Sequence, residues 1–188
     1  MRWFIRVFYR IYNILQLTRK RVTFGRGITF NGILFVSNFG EITLGSNLKL
    51  TSGKRYNPIG GDTVLRIICR KGGKINIGDN VGISNCTFFI SNSLLIEDNV
   101  LFGGGCRVWD SDFHSIDANI RIYGGDTEVH TAPIYIKENA FIGGGSILLK
   151  GITIGENAII GAGSVVTKSV PDNEIWAGNP AKKIKDLK

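Results

Sequence analysis

The sequence predicts an all-β solenoid preceded by one amphipathic helix. Three observations predict it. An aliphatic residue recurs every six positions, at Ile136, Ile142, Leu148, Ile154, Ile160 and Val166. Glycine makes up 25 of 188 residues, nearly twice the usual share of about 7%. One long segment, at about residues 109–133, leaves this phase and returns to it at Ile134.

The N-terminal arm comes first. Residues 2–17 read as a helix. Arg2, Arg6, Arg10, Asn13 and Gln16 form a polar stripe, and Trp3, Phe4, Ile5, Val7, Phe8, Ile11, Tyr12, Ile14, Leu15 and Leu17 fill the rest. A basic amphipathic helix of this kind suits either a membrane interface or packing on the solenoid or a neighbouring subunit. Residues 1–22 are taken as this arm and residues 23–188 as the solenoid domain.

The solenoid follows. A period of six is neither that of a helix nor that of a flat strand. It fits short strands joined by tight corners, with one aliphatic per hexad turned inward. Four residues after each aliphatic stand Ala140, Ser146, Ile152, Ala158, Ser164 and Val170, small or β-branched residues that share the interior. Three hexads make a triangular coil of about 18 residues, and coils stack at the strand spacing of about 4.8 Å. Gly45, Gly78, Gly143, Gly155 and Gly161 read as corner residues that accept positive φ, and Asn47, Asn80, Asn99, Asn139 and Asn157 also suit turns.

Upstream, Ile77, Ile83 and Phe89 keep the step, with Val81 and Thr87 as the smaller partners. The phase then slips by one residue to Ile90, Ile96, Phe102 and Val108, with Val100 and Cys106 beside them. Leu44 and Leu50 are weaker copies. Residues 49–73 are less regular and predict a coil or loop. The competing reading, a β-sandwich with Gly-rich turns, does not account for unbroken six-residue phasing. A short tail, about residues 171–188, completes the chain.

Charge and composition exclude several classes. The formal charge is +8, but six cations and no acid fall in the first 21 residues, so the solenoid is nearly balanced. That opposes a nucleic-acid module, which needs a basic face across its body. No run of 18 apolar residues is present to span a membrane, and no small-residue cleavage site follows the arm. Cys69, Cys86 and Cys106 lack CxxC spacing and read as small buried thiols of a reducing, cytoplasmic protein. The GxxxxGK[ST] phosphate loop is absent. Only two histidines occur, His114 and His130, too few for a three-histidine zinc site.

The motifs Ile142-Gly-Gly-Gly-Ser, Ile154-Gly-Glu-Asn-Ala and Ile160-Gly-Ala-Gly-Ser, followed by Val165-Val-Thr-Lys-Ser-Val-Pro and Ala177-Gly-Asn-Pro-Ala-Lys, resemble the hexapeptide-repeat acyltransferases. The resemblance implies a left-handed parallel β-helix. It also implies a homotrimer that binds acetyl-CoA and an acceptor between neighbouring prisms. It points to a sugar O-acetyltransferase, cytoplasmic or peripheral on the inner membrane face, in bacterial surface-polysaccharide synthesis. Acetylation of an amino group, on an amino sugar or antibiotic-like acceptor, is the alternative. A non-catalytic solenoid scaffold is the third reading.

The excursion at about residues 109–133 carries the candidate chemistry, since long loops on rigid scaffolds are often functional. A hydroxyl must lose its proton as it attacks a thioester, and a neutral imidazole, which titrates near pH 6.5, suits that task. His114 is the candidate general base, and its Asp-x-Asp-Phe-His-Ser-Ile-Asp context resembles that of the sugar acetyltransferases. Asp112 is the preferred carboxylate to orient it. Trp109, Asp110, Arg121 and His130 are candidates for holding the acceptor, with Arg121 suited to a phosphate or carboxylate. For acetyl-CoA, the resemblance points to Phe141 as an aromatic wall, to Gly143, Ser146 and Ala162 beside the pantetheine arm, and to Pro180 in the tail. Lys150, Lys168, Lys182 and Lys183 are the candidates for its phosphates. No metal is expected, and Cys106, read as an interior residue, does not suit a nucleophile.

Overall fold

In the computed structural model, residues 2–187 are described, with side chains from residue 4 onward. Helix α1 (Arg2–Arg19) leads into twenty strands. They group into three sheets that the chain visits in rotation. The first turn is β1 (Thr23–Phe24), β2 (Thr29–Asn31) and β3 (Phe35–Asn38). The second is β4 (Glu41–Leu44), β5 (Lys49–Thr51) and β6 (Arg66–Cys69). The third is β7 (Lys74–Ile77), β8 (Gly82–Ser84) and β9 (Thr87–Ile90), and the fourth is β10 (Ser93–Ile96), β11 (Leu101–Phe102) and β12 (Arg107–Trp109). After a loop holding the six-residue helix α2 (Ala118–Tyr123), the fifth turn is β13 (Ile134–Ile136), β14 (Phe141–Ile142) and β15 (Ile147–Leu149). The sixth is β16 (Thr153–Ile154), β17 (Ile159–Ile160) and β18 (Val165–Val166). The tail forms a hairpin of β19 (Glu174–Gly178) and β20 (Ala181–Asp186); β19 continues the second sheet in parallel beside β17.

Every inter-turn pairing is parallel, which is the pattern of a parallel β-helix. The register shows why a six-residue step works. In the first sheet Leu44, Ile77, Ile96, Ile136 and Ile154 stack one above another. Ile136 meets Ile154 across 18 residues, one full triangular coil. The hexad aliphatics Ile136, Ile142, Leu148, Ile154, Ile160 and Val166 are all fully buried, and so are their small partners. Burying each of the six hexad aliphatics stabilises by about 1.5–3 kcal/mol.

The third turn departs from the expected phase. Phe88 is fully buried, whereas Phe89 lies outside the core and Thr87 is only half-buried. Cys86 takes the small-residue place. The reason is a shorter corner. Two residues separate Ile83 from Cys86, but three glycines separate Phe102 from Cys106. The slip therefore falls before Phe88, not after Phe89. The irregular stretch 49–73 also contains two regular strands, β5 and β6, with the loop confined between them.

The corner chemistry differs from expectation too. The non-glycine residues with positive φ at the first-to-second-sheet corner are Asn47, Asn80, Asn99, Asn139, Asn157 and Asn173, at φ 57–61°, and Gly27 takes that place in the first coil at φ 73°. Their carboxamides stack in part as a ladder, with Asn139 donating to Asn157 at 3.1 Å and Asn157 to Asn173 at 2.9 Å. Gly78 and Gly155 are needed for closeness instead. A Cβ on Gly155 would stand 2.3 Å from the backbone N of Asp172 in the next coil.

Helix α1 caps the open end of the first coil, and it does so with its polar stripe. The Asn13 carboxamide donates to the Gly32 carbonyl at 2.9 Å and accepts from the Leu34 amide at 3.0 Å. Gln16 donates to the Leu34 carbonyl at 3.0 Å and accepts from the Val36 amide at 2.9 Å. Each side chain thus bonds residues two apart, as a parallel strand's peptide group would. Leu17 is buried beneath, while Phe4, Phe8, Ile11, Tyr12 and Leu15 are exposed. The aromatic face does not pack on its own prism. The side chains of Arg2, expected in the polar stripe, and of Trp3, expected on the apolar face, lie outside the described residues.

Candidate active site

The chain leaves the third sheet after Trp109 and rejoins the first at Ile134. Its ends are pinched together. Asp112 N donates to the His130 carbonyl at 3.1 Å, and Ala132 N donates to the Asp110 carbonyl at 3.0 Å. Asp110 anchors this neck from inside. Its carboxylate is fully buried and accepts the Ser91 amide at 2.8 Å and the Asn92 amide at 2.6 Å. Burial raises its pKa against those amides. With both oxygens so used, Asp110 holds the loop and does not face an acceptor. His130 has an exposed side chain, and its carbonyl belongs to the neck.

An aromatic cluster supports the loop from below. Phe113 stands 4.9 Å from Phe89 and edge-on to Trp109 at 5.6 Å. Trp109, expected to touch the acceptor, here props the residue next to His114. Asp117 caps α2 by accepting the Asn119 and Ile120 amides at 2.7 and 3.2 Å. Arg121 on that helix donates to the Ser115 carbonyl at 2.6 Å. The guanidinium thus staples the loop to itself.

These restraints position His114. Its side chain is 70% exposed, and its Nδ1 contacts the Asp126 carboxylate. The other Asp126 oxygen accepts the Ser115 amide at 2.6 Å. That amide, and then His114, hold the Asp126 carboxyl below its ordinary pKa. An ionised Asp126 at Nδ1 leaves Nε2 as the nitrogen that can take a proton. The partner is therefore Asp126 and not Asp112. Asp112 instead pairs with Lys150, which removes Lys150 from the free cations. Asp126 lies twelve residues beyond His114, past α2 and a Gly-Gly turn, so no short spacing rule finds it.

The C-terminal coils hold the other expected residues. Phe141 is exposed on the second sheet and Ala162 is exposed at a corner. Gly143 is buried, and Ser146 is fully buried with its Oγ donating to the Gly161 carbonyl at 3.1 Å. Ser146 therefore serves the corner, not a ligand. Lys183 pairs with Glu174 and Asp186, both at 2.7 Å. Lys168, Pro180 and Lys182 are exposed, and neither lysine is ion-paired among the described residues.

A cavity of about 600 Å³ lies at the corner between the second and third sheets. Gly104, Gly105, Gly144 and Gly145 form its wall, and Gly60 and Gly61 of the 52–65 loop close one side. Asp62, Asn85 and Arg107 supply polar side chains, none of which belongs to a motif. The two glycine triplets at 103–105 and 143–145 were the available signal. The loop bearing His114 emerges at a different corner, between the third and first sheets. No group of three or more His, Cys, Asp or Glu suited to a metal occurs among the described residues, nor does a helix long and apolar enough to cross a membrane.

A coiled prism of six-residue steps with such a loop defines a class, and comparisons agree. Residues 133–168 match the family model for bacterial transferase hexapeptide (six repeats), and the chain belongs to the hexapeptide-repeat family. The galactoside O-acetyltransferase of Lactococcus lactis subsp. lactis is 36% identical over 141 residues, covering 71% of this chain and 66% of that protein. Protein CapG of Staphylococcus aureus is 45% identical over 101 residues, 52% of each chain. A maltose O-acetyltransferase from Clostridium difficile 630 superposes with a TM-score of 0.58 at 26% identity, covering 100% of this chain and 86% of that one. A variant of AntD, an N-acyltransferase from Bacillus cereus in complex with dTDP-4-amino-4,6-dideoxyglucose and coenzyme A, shares the fold. It gives a TM-score of 0.69 at 21% identity over 94% of this chain and 90% of that one. The chain spans about half to two thirds of the length of the curated relatives it matches.

Proposed function

We propose that the protein transfers an acetyl group from acetyl-CoA to a saccharide hydroxyl. The observation that carries this reading is His114, exposed on a braced loop with Asp126 on its Nδ1. Nε2 takes the hydroxyl proton as the oxygen attacks the thioester carbonyl. Asp126 stabilises the imidazolium that forms, and the proton then passes to the departing thiolate of coenzyme A. No acyl-enzyme is needed. The 36% identity to a galactoside O-acetyltransferase supports a hydroxyl acceptor.

The hexapeptide family also supports a left-handed coil and a homotrimer. The loop with His114 and the glycine-walled cavity occupy different corners of one prism. A trimer would set the loop of one copy against the glycine corner of the next, with Gly143, Ala162 and Phe141 along the pantetheine arm. Lys168 and Lys182, not ion-paired among the described residues, are the cations proposed for the coenzyme phosphates, with Pro180 beside them. A role in surface-polysaccharide synthesis at the cytoplasmic face belongs to the same reading. It is supported by the exposed aromatic face of α1, which its own prism leaves uncovered.

The test is thiol release from acetyl-CoA over a panel of free sugars, nucleotide sugars and polysaccharide repeat units, with amino sugars included. Hydroxyl acceptors should turn over, and His114→Ala should lower turnover by about 10²–10⁴-fold without loss of coenzyme A binding. Near wild-type turnover in that variant would defeat the assignment. Preferred turnover of amino sugars would move the reading to N-acetylation.

A further inference from the structure

A second cavity, of about 590 Å³, lies between the underside of α1, the second sheet and the 52–65 loop. Arg6 and Arg10 reach it from the helix and Lys49 from β5. Tyr56 and Asn57 of the loop close the far wall. No acidic side chain lines it, and none of the three cations is ion-paired among the described residues. Arg6 and Arg10 stand four residues apart on one helix face, a spacing at which like charges repel. An arrangement that concentrates positive charge without a carboxylate is stabilised by an anion.

The cavity is built, not incidental. Tyr9 of α1 stacks edge-on against Tyr56 at 5.9 Å, which fixes the loop to the helix. Asn57 caps the turn Pro58–Gly60 by accepting the Gly60 amide at 3.0 Å, and its carbonyl accepts from Asn85 Nδ2 at 3.3 Å. Gly60 and Asn85 line the glycine-walled cavity. One turn of chain therefore separates the two cavities.

We propose that this cavity binds the diphosphate group of a ligand distinct from the acyl donor. Two guanidinium forks one helical turn apart pair bidentately with phosphate oxygens, and the Lys49 ammonium adds a point charge from the opposite wall. The cations proposed for coenzyme A lie at the other end of the solenoid. The shared wall places a diphosphate on one side and the proposed acetyl-transfer region on the other. The consequence for the acceptor, that it is a diphosphate-linked saccharide, rests on the acetyl-transfer reading, whereas the binding site does not.

The experiment is calorimetric titration of the full-length protein with inorganic pyrophosphate at low salt. Saturable binding is expected. Arg10→Gln and Lys49→Gln, on separate elements, should each weaken it tenfold or more. Lys71→Gln, an equal charge change in a turn outside the cavity, should alter it less than twofold. Uridine diphosphate and neutral phosphatidylcholine vesicles with and without farnesyl diphosphate then distinguish a nucleotide from a lipid source. Absence of saturable pyrophosphate binding would overturn the proposal, as would equal weakening by Lys71→Gln. Stoichiometric displacement of pyrophosphate by coenzyme A would also overturn it, by assigning the cavity to the donor. Failure of thiol release with pyrophosphate binding intact would count against the acetyl-transfer reading alone.

Discussion

Replacing Asn13 with alanine should loosen the N-terminal cap far more than the equivalent change at Gln16. Both carboxamides make two bonds to the backbone of residues 32–36, at nearly equal lengths. They differ in access to water. Asn13 is 0% exposed, whereas Gln16 is only half-buried. Asn13→Ala leaves the Gly32 carbonyl and the Leu34 amide buried without partners, and each orphan costs about 1–3 kcal/mol. The expected loss is about 2–5 kcal/mol. At Gln16 water can replace the lost partner, so about 1 kcal/mol is expected. Urea denaturation gives the global values, and hydrogen exchange at the Leu34 amide gives the local one. Equal costs for the two variants, or a cost below about 1 kcal/mol at Asn13, would refute the view that buried carboxamides cap the coil.

Three further outcomes follow from the same structure. Asp126→Asn should lower kcat by about 10²–10⁴-fold while leaving KM for acetyl-CoA unchanged, because the asparagine cannot stabilise the imidazolium; an unchanged kcat would remove Asp126 as the positioning residue. Since Asp126 has a lowered pKa in the folded chain, its contribution is present above the unfolded value of about 3.9 and is lost as pH falls through the folded value. Protection of the Ser115 amide should fall in that acid range in wild type, and Asp126→Asn should abolish the step. Gly155→Ala should destabilise by about 1–3 kcal/mol through overpacking against the next coil, measured by thermal unfolding; a neutral or stabilising effect would show that the coils can separate at that corner.

Much of this architecture is written in local spacing. Six-residue steps from Ile136 to Val166 identify the inward residues one by one, because each turn repeats the same geometry. The step fails where geometry changes without a chemical mark. Phe88 and Phe89 are adjacent and equally apolar, so only the length of the corner at Ser84 and Asn85 decides which turns inward. The arm shows a similar limit. Periodicity reveals its two faces, but the docking of Asn13 and Gln16 depends on the unpaired backbone of residues 32–36. In the candidate site, His114 stands out as one of two histidines. Its carboxylate partner does not, since Asp112 is nearer in sequence and is taken by Lys150. Pairings that depend on how a loop folds back, such as Asp126 with His114 or Arg121 with Ser115, have no periodic signature.

The pinched neck at Asp110–Asp112 and His130–Ala132 separates two kinds of change. Ile96 and Ile136 keep their pairing although they stand 40 positions apart in the chain, and Val108 sits opposite Leu148 just as Leu148 sits opposite Val166. The coils therefore do not register what is inserted between them. Beyond the neck, length and composition can drift, or be exchanged for another loop, without disturbing the stacked interior. On the acetyl-transfer reading proposed above, acceptor choice is modular, and a transplanted loop closed by the same two backbone bonds should arrive on a scaffold already prepared to receive it.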